Sequence, residues 1–386
     1  MKRFHRRWLW AAIPLLLAAA AALFLLLRPQ NAPLSAPAPS AALLQADDGL
    51  DVIDLQAEFL PESRSLRVTQ RMTLTSRVSE SRDTLVLRTW PNAYQSMETS
   101  PLTLTELYDA AYPDGFSAGA LVMEEASVAQ GDGVSEKVFY RYTDTAKTVL
   151  SLPLSQGWEP GETLTVTLRY TLMLPKAASR YGVMDGIYAV GNAFPLPALY
   201  ENGAYRTDEY SPIGDPFVSE CANFTVALRL PEGFTPACTA WLSQSETGLW
   251  RGEALAARDL GLCVYRDVKT AQGKTGDTLV LAYADTAAGA KGALRAAQRA
   301  LACFEALYGD YPYPVYTVCA AYFPFGGMEY PAMTLIGRDY FTPGKEDSLE
   351  LVAAHETAHQ WWYGIVGSNA AEEAWQDEGL AEYSSA

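Results

Sequence analysis

Apolar and polar residues alternate along most of the chain between about residues 50 and 284. The clearest runs of alternation lie at residues 53–59, 66–78, 164–174 and 224–230. A period of two places successive side chains on opposite faces of a β-strand. Turn residues such as Pro160-Gly161 separate the runs. The pattern therefore predicts a large antiparallel all-β domain over residues 46–284, with its sheets half-buried.

The period changes after about residue 285. An apolar stripe formed by Leu294, Leu301, Phe304 and Tyr308 predicts a helix that ends at Gly309. The apolar run 315–322 predicts a strand, and a second helix is predicted with Asp347 as its N-cap. Residues 285–386 are therefore expected to form a separate domain of mixed helices and strands.

The first 45 residues differ in composition from the rest. Four basic residues within positions 2–7 precede an uncharged stretch at 8–27, which as a helix would span about 30 Å, the thickness of a bilayer core. A cleaved signal peptide is the alternative, but the apolar run is longer than is usual there. We expect a signal anchor at 1–28, a Pro/Ala/Ser-rich linker at 29–45, and an extracytoplasmic body on a single-pass protein of the cell membrane.

Composition narrows the possible functions. The chain has 386 residues with 49% apolar and 19% charged residues, which suits folded domains with large cores. Its net charge is -16, and the first 28 residues hold five basic residues and no acidic one, so the remainder has 24 basic against 45 acidic residues, a net charge of -21. Because an acidic body would be repelled by phosphates, nucleic-acid binding is not expected. The five cysteines show no CxxC spacing, so they are expected to be buried apolar residues.

The chain holds three histidines, and two of them fall in the motif His355-Glu356-Thr357-Ala358-His359. On a helix, residues four apart lie on the same face, so both imidazoles can reach one metal ion. Zinc suits imidazole ligands and makes its bound water more acidic, and the adjacent Glu356 could act as a general base.

A third ligand must be a carboxylate or a cysteine, because His5 lies in the basic N-terminus. The following segment offers five carboxylates, namely Glu372, Glu373, Asp377, Glu378 and Glu382. Glu378 follows His359 with 18 residues between them, enough for a helix end, a turn and a return. Two histidines and a glutamate around an open position form a catalytic zinc geometry.

Three motifs together resemble peptidase family M1, the gluzincin zinc aminopeptidases of the aminopeptidase N type. They are HETAHQWW at 355–362, WQDEGLAEY at 375–383 and GGMEYP at 326–331. The resemblance implies a thermolysin-like α/β domain and one zinc per chain, bound by His355, His359 and Glu378. It also implies Glu356 as general base, Glu329 as the ligand of the substrate α-amine, and Gly326, Gly327 and Met328 as backbone that holds the peptide.

The residues themselves leave several roles open. Glu329 could equally be a solvated loop glutamate, and Asp377 and Glu382 could either orient the metal ligands or lie on a solvated helix face. The resemblance implies a second amine-binding residue, for which Asp185 and Glu201 lie in a plausible region. It also implies an oxyanion-stabilising tyrosine beyond Ala386, since Tyr383 lies on the ligand helix, so a truncated catalytic domain is expected.

The expected function is a zinc aminopeptidase that hydrolyses the N-terminal residue of peptides with a free N-terminus, by zinc-activated water with Glu356 as base. One alternative is a thermolysin-like endopeptidase, which does not need Glu329. Another is an inactive, zinc-loaded binding module at the cell surface.

Overall fold

The computed structural model describes residues 38–46, 48–103, 105–211, 214–324 and 326–386. The predicted signal anchor at 1–28 lies outside the described residues and stays a prediction. Within the described ranges, no helix is both long and apolar enough to cross a membrane. Residues at the end of the expected linker form a short helix, α1 (Ala41–Ala46), whose Leu43 is buried.

Strands dominate the first two-thirds of the described chain. In chain order they are β1 (Asp51–Leu60), β2 (Ser65–Thr75), β3 (Arg82–Arg88), β4 (Ala120–Gln130), β5 (Glu136–Lys137), β6 (Arg141–Tyr142), β7 (Val149–Trp158), β8 (Thr163–Met173), β9 (Tyr181–Met184), β10 (Ile187–Val190), β11 (Leu196–Pro197), β12 (Tyr200–Glu201), β13 (Ala204–Tyr205), β14 (Ala222–Arg229), β15 (Phe234–Cys238), β16 (Ser243–Glu246), β17 (Leu249–Ala257) and β18 (Leu262–Arg266). The remaining strands are β19 (Lys269–Thr275), β20 (Thr278–Ala284), β21 (Val315–Ala321), β22 (Gly327–Tyr330) and β23 (Met333–Gly337).

An eight-stranded sheet in the order β16-β17-β14-β1-β2-β8-β4-β5 forms the largest layer. All its neighbouring strands are antiparallel except β1 and β14, which run parallel. Two four-stranded sheets, β11-β3-β7-β6 and β15-β18-β10-β9, contribute to the same apolar core, which contains Phe59, Leu66, Tyr170 and Phe224. The prediction of a large antiparallel β domain is confirmed.

The helices after α1 are α2 (Thr105–Ala111), α3 (Ala287–Tyr308), α4 (Glu346–Ala358) and α5 (Glu378–Ser385). Single 3-10 turns occur at Pro61–Ser63, Trp90–Gln95, Arg338–Phe341 and Ala374–Gln376. Helix α3 begins after Thr286, whose hydroxyl accepts a hydrogen bond from Gly289 N at 3.0 Å. It ends at Gly309 as predicted, where φ is 103°, a backbone conformation that favours glycine.

A five-stranded mixed sheet, β19-β20-β21-β23-β22, supports the candidate site. Strand β20 runs parallel to β21, and β21 runs parallel to β23, whereas β22 is an antiparallel edge strand. Strands β19 and β20 precede residue 285, so the predicted boundary between residues 284 and 285 falls inside the unit built on this sheet. Helices α3 and α4 share an apolar core with it, which includes Val318, Ile336 and Ala353.

The start of α4 differs from the sequence prediction. The helix begins at Glu346, and Asp347 lies inside its first turn instead of capping it. Two acidic side chains in the first turn are favourable near the positive end of the helix dipole, so a side-chain cap is not required. Glu350, in the same helix, forms an ion pair at 2.7 Å with Arg299 of α3.

Candidate metal centre

Helix α4 presents the two histidines of the HExxH motif on one face. The Nε2 atoms of His355 and His359 lie 3.3 Å apart. Thr357, between them, points into the core, where its hydroxyl lies 3.0 Å from Tyr316 Oη of β21 and donates to Ala353 O at 2.5 Å. This buried polar contact fixes the rotation of α4, and the histidines consequently face α5.

Glu378, the first residue of α5, completes a triangle of donor atoms. Its Oε2 lies 3.2 Å from His355 Nε2 and 3.6 Å from His359 Nε2. Tetrahedral zinc with bonds of about 2.0–2.1 Å separates its ligand atoms by about 3.3 Å. The three described side chains therefore fit a zinc ion that keeps one position open.

One further carboxylate contacts the Nδ1 atom of each imidazole, on the side away from the triangle. Asp377 Oδ1 lies 2.6 Å from His359 Nδ1, and Glu382 Oε2 lies 3.3 Å from His355 Nδ1. The carbonyl oxygen of Trp362 lies 3.2 Å from His359 Nδ1 as well. A protonated Nδ1 that donates to these oxygens leaves each Nε2 lone pair free for a metal, which is how such ligands are oriented.

The electrostatic field at the triangle favours positive charge. Burial alone would lower the pKa of His359, but the carboxylates of Glu329, Asp377 and Glu378 outweigh it and raise that pKa well above its usual value. The hydrogen bond to Glu378 raises the pKa of His355. Hydrogen bonds from both histidines hold the pKa of Glu378 far below its usual value. The same field would stabilise a divalent cation.

Glu356 lies beside the triangle, on the buried side of α4. Its side chain is 4% exposed, and Oε2 has no hydrogen-bond partner among the described residues. Burial raises its pKa to about 7. A buried carboxylate oxygen without a partner is costly unless a ligand or water satisfies it. Such a group suits proton transfer near neutral pH.

Edge strand β22 packs directly against Glu356. A Cβ atom at Gly327 would lie 2.5 Å from Glu356 Oε1 and 2.6 Å from the carbonyl oxygen of Leu335, so only glycine allows this approach. Gln360, which follows the HExxH motif, ties the end of β22 to α4. It accepts from Ala332 N at 2.8 Å and donates to Tyr330 O at 3.1 Å. These hydrogen bonds fix the position of β22 relative to α4.

Glu329 of β22 is almost completely buried, with 4% exposure. Burial raises the pKa of its carboxyl group well above the usual value. Oxygens of Glu329 and Asp377 and a nitrogen of His359 lie within 4.8 Å of one another. Glu329 is therefore a buried acid beside the metal ligands, not a solvated loop residue.

Asp215 is a neighbour of the site that sequence reasoning missed. It lines a small cavity together with Glu329 and Asp377, and its Oδ1 forms an ion pair at 2.5 Å with Arg180. Asp185 and Glu201, the residues considered from sequence, lie elsewhere and bind the Tyr322 hydroxyl and the Arg206 guanidinium. Nothing in the sequence distinguishes Asp215 from the other acidic residues of the segment 176–221.

Residues 293–386 match the family model of the Peptidase family M1 domain. The C-terminal part of the chain therefore carries a peptidase family M1 domain. The resemblance drawn from the three motifs is confirmed for this part, and the triangle of donor atoms, Glu356 and Glu329 all lie within the matched range. The match supports a peptidase function for this part of the chain, and M1 peptidases are in general zinc-dependent. No curated protein matches the chain.

Proposed function

We propose that the protein is a zinc-dependent aminopeptidase that removes the N-terminal residue of peptides outside the cytoplasmic membrane. The observation that carries the proposal is the buried carboxylate of Glu329, which lies on an edge strand that also packs against Glu356. An endopeptidase has no use for a buried acid at this position. An aminopeptidase must recognise the ammonium group that marks the N-terminal end of its substrate.

His355, His359 and Glu378 would hold one zinc ion per chain. Zinc at such a site polarises a carbonyl group and lowers the pKa of the water that it binds. Asp377 and Glu382 would keep the imidazoles in the tautomer that binds metal through Nε2.

Glu356 would accept the proton of the attacking water and deliver it to the leaving amine. Its pKa of about 7, caused by burial, makes it a usable base and a usable acid near neutrality. The orphaned Oε2 atom is free to accept that proton.

Glu329 would bind the substrate α-ammonium group. A buried carboxylate is stabilised when a cation enters beside it, because the pair satisfies both charges away from water. The backbone of Gly326, Gly327 and Met328 at the edge of the sheet would pair with the extended peptide, as added strands do in peptide recognition. The two contacts together would fix which peptide bond reaches Glu356.

The test compares a peptide with a free N-terminus and the same peptide N-acetylated. We expect acetylation to abolish turnover by the wild-type protein, and Glu329→Gln to reduce turnover of the free peptide by at least tenfold. Glu350→Gln, on the exposed face of α4, is the matched control and should leave turnover unchanged. Equal turnover of both peptides by the wild type would refute the aminopeptidase proposal and favour an endopeptidase.

Placement outside the membrane rests on the N-terminal charge asymmetry alone. In intact cells, an external protease should degrade the β domain if residues 1–28 anchor it with the basic cluster inside. Protection of the β domain until the membrane is broken would contradict this placement.

A further inference from the structure

The β domain contains a cavity of about 220 Å³ far along the chain from the metal ligands. Its walls come from the eight-stranded sheet, from β3 and β7, and from the segment 196–205. They are mainly apolar and include Ile53, Leu74, Leu85, Leu196 and Leu199. None of the candidate metal or catalytic residues lines it, so its contents are a separate question from peptide hydrolysis.

One charged group lies deep in this cavity. Arg82 is 9% exposed, and its guanidinium carbon lies 3.9 Å above the ring of Trp158. Nη1 donates to Tyr205 Oη at 3.3 Å and Nη2 donates to Ser76 Oγ at 3.0 Å, whereas Nε has no partner. Among the residues that the structure describes, no carboxylate forms an ion pair with it. The guanidinium side chain therefore lines a cavity large enough for a ligand without a carboxylate paired to it.

Arg88, on the same strand, is also buried, and its Nε likewise has no partner among the described residues. It stacks on Trp90 at 3.8 Å, much as Arg82 stacks on Trp158. Its Nη1 and Nη2, however, donate to the carbonyl oxygens of Arg206 and Asp208 at 3.3 and 2.5 Å. The acceptors of Arg82 are neutral hydroxyl groups instead.

Neither of the two acidic residues that line the cavity acts as a counterion for Arg82. Asp51 is already engaged by Arg77 at 2.8 Å and by Thr75 N at 3.0 Å. Glu220 is exposed to solvent. A buried cation without a counterion is costly, and an anion that enters beside it removes this cost.

We propose that this cavity binds a small organic monocarboxylate, with its carboxylate on Arg82 and its apolar body between the leucine side chains. A cavity of about 150 Å³ holds benzene, so one of this size accommodates roughly ten non-hydrogen atoms. An eight-carbon fatty acid has this size and this chemistry. Bidentate contact with a guanidinium suits a carboxylate, and the apolar walls reject a fully hydrated ion.

Titration calorimetry with octanoate on the full chain tests the proposal, with octanol as the uncharged probe of the same length. We expect octanoate to bind with one site per chain and octanol to bind at least tenfold more weakly. Arg82→Gln should weaken octanoate binding by at least tenfold. Arg67→Gln, which removes an exposed guanidinium that does not line the cavity, should change it by less than threefold.

A second variant keeps the test decisive if Arg82→Gln fails to fold. Leu196→Trp retains the guanidinium and fills space from a partly exposed position, and it should also weaken octanoate binding by at least tenfold. The proposal is overturned if octanoate does not bind, if octanol binds equally well, or if whichever of these two variants folds binds octanoate as the wild type does.

Discussion

The candidate metal centre has two walls that differ in burial. The inner wall consists of Glu329, Glu356, His359 and Asp377, all of which are nearly inaccessible to solvent. The outer wall consists of His355, Glu378 and Glu382, whose side chains are 21%, 52% and 79% exposed. Both walls offer carboxylates and one imidazole, so they differ in environment more than in composition.

This difference in environment separates two tasks. On the inner wall, burial raises the pKa of Glu329 and of Glu356, so that their charge depends on what lies beside them. On the outer wall, hydrogen bonds from the histidines keep Glu378 ionised. Proton transfer and amine recognition suit the inner wall, whereas capture of a metal from solvent suits the outer wall.

The largest effect is expected from Glu356→Gln on the inner wall. Loss of a general base lowers turnover by about 10² to 10⁴-fold. Zinc content should be unchanged, because the amide replaces a residue outside the triangle of donor atoms. Peptidase assays and metal analysis of the same preparation check both. Turnover within threefold of the wild type would remove Glu356 from the reaction.

The two orienting carboxylates should differ in importance. Asp377→Asn is expected to weaken zinc binding by about 10 to 100-fold, because its contact at 2.6 Å to His359 is buried. Glu382→Gln should change zinc affinity by less than threefold, since Glu382 is exposed to water. Competition with a chelator measures both. Equal losses would show that burial does not distinguish the walls.

The close approach of β22 to the inner wall can be tested with a single methyl group. Gly327→Ala would place Cβ 2.5 Å from Glu356 Oε1 and should lower the unfolding free energy by about 1–3 kcal/mol, with reduced turnover. Gly326→Ala is the matched control, because a Cβ there has open space. Denaturant unfolding of both variants is the measurement. Identical losses would show that contact with Glu356 is not what requires glycine at position 327.

The last effect concerns the pH dependence of stability and Asp259, a buried carboxylate outside both walls. Its Oδ2 accepts from Asn192 Nδ2 at 2.7 Å, and burial raises its pKa to about 6. At pH values between the ordinary carboxyl pKa and about 6, the folded state therefore binds more protons than the unfolded state. The resulting stability is fully present below about pH 4 and is lost as the pH rises through 6, by about 1 kcal/mol per pH unit.

Asp259→Asn should remove this dependence, because the amide does not titrate. Unfolding midpoints measured between pH 4 and pH 7 would show it as a flatter profile than that of the wild type. An unchanged profile would mean that Asp259 does not contribute to the pH dependence of stability.

Local patterns predicted local features. Alternating residues predicted the strands of the β domain, Gly309 predicted the end of α3, and the HExxH spacing predicted which histidines share a face. The relations that sequence could not reveal join residues far apart in the chain. Asp215 and Glu329 line the same cavity, and Arg82 forms a hydrogen bond with Tyr205, only because the fold brings these distant parts of the chain together. No repeating pattern in a single sequence indicates which distant residues will lie together.

The most direct test of the account is to locate the metal in zinc-loaded protein by anomalous X-ray scattering at the zinc edge. His359 belongs to two groups that could hold an ion, one with His355 and Glu378 and the other with Glu329 and Asp377. The account predicts a single zinc on the Nε2 side of His359, between His355 and Glu378. Zinc on the Nδ1 side, between Glu329 and Asp377, would contradict it, because the carboxylate proposed for the substrate amine would then be a metal ligand.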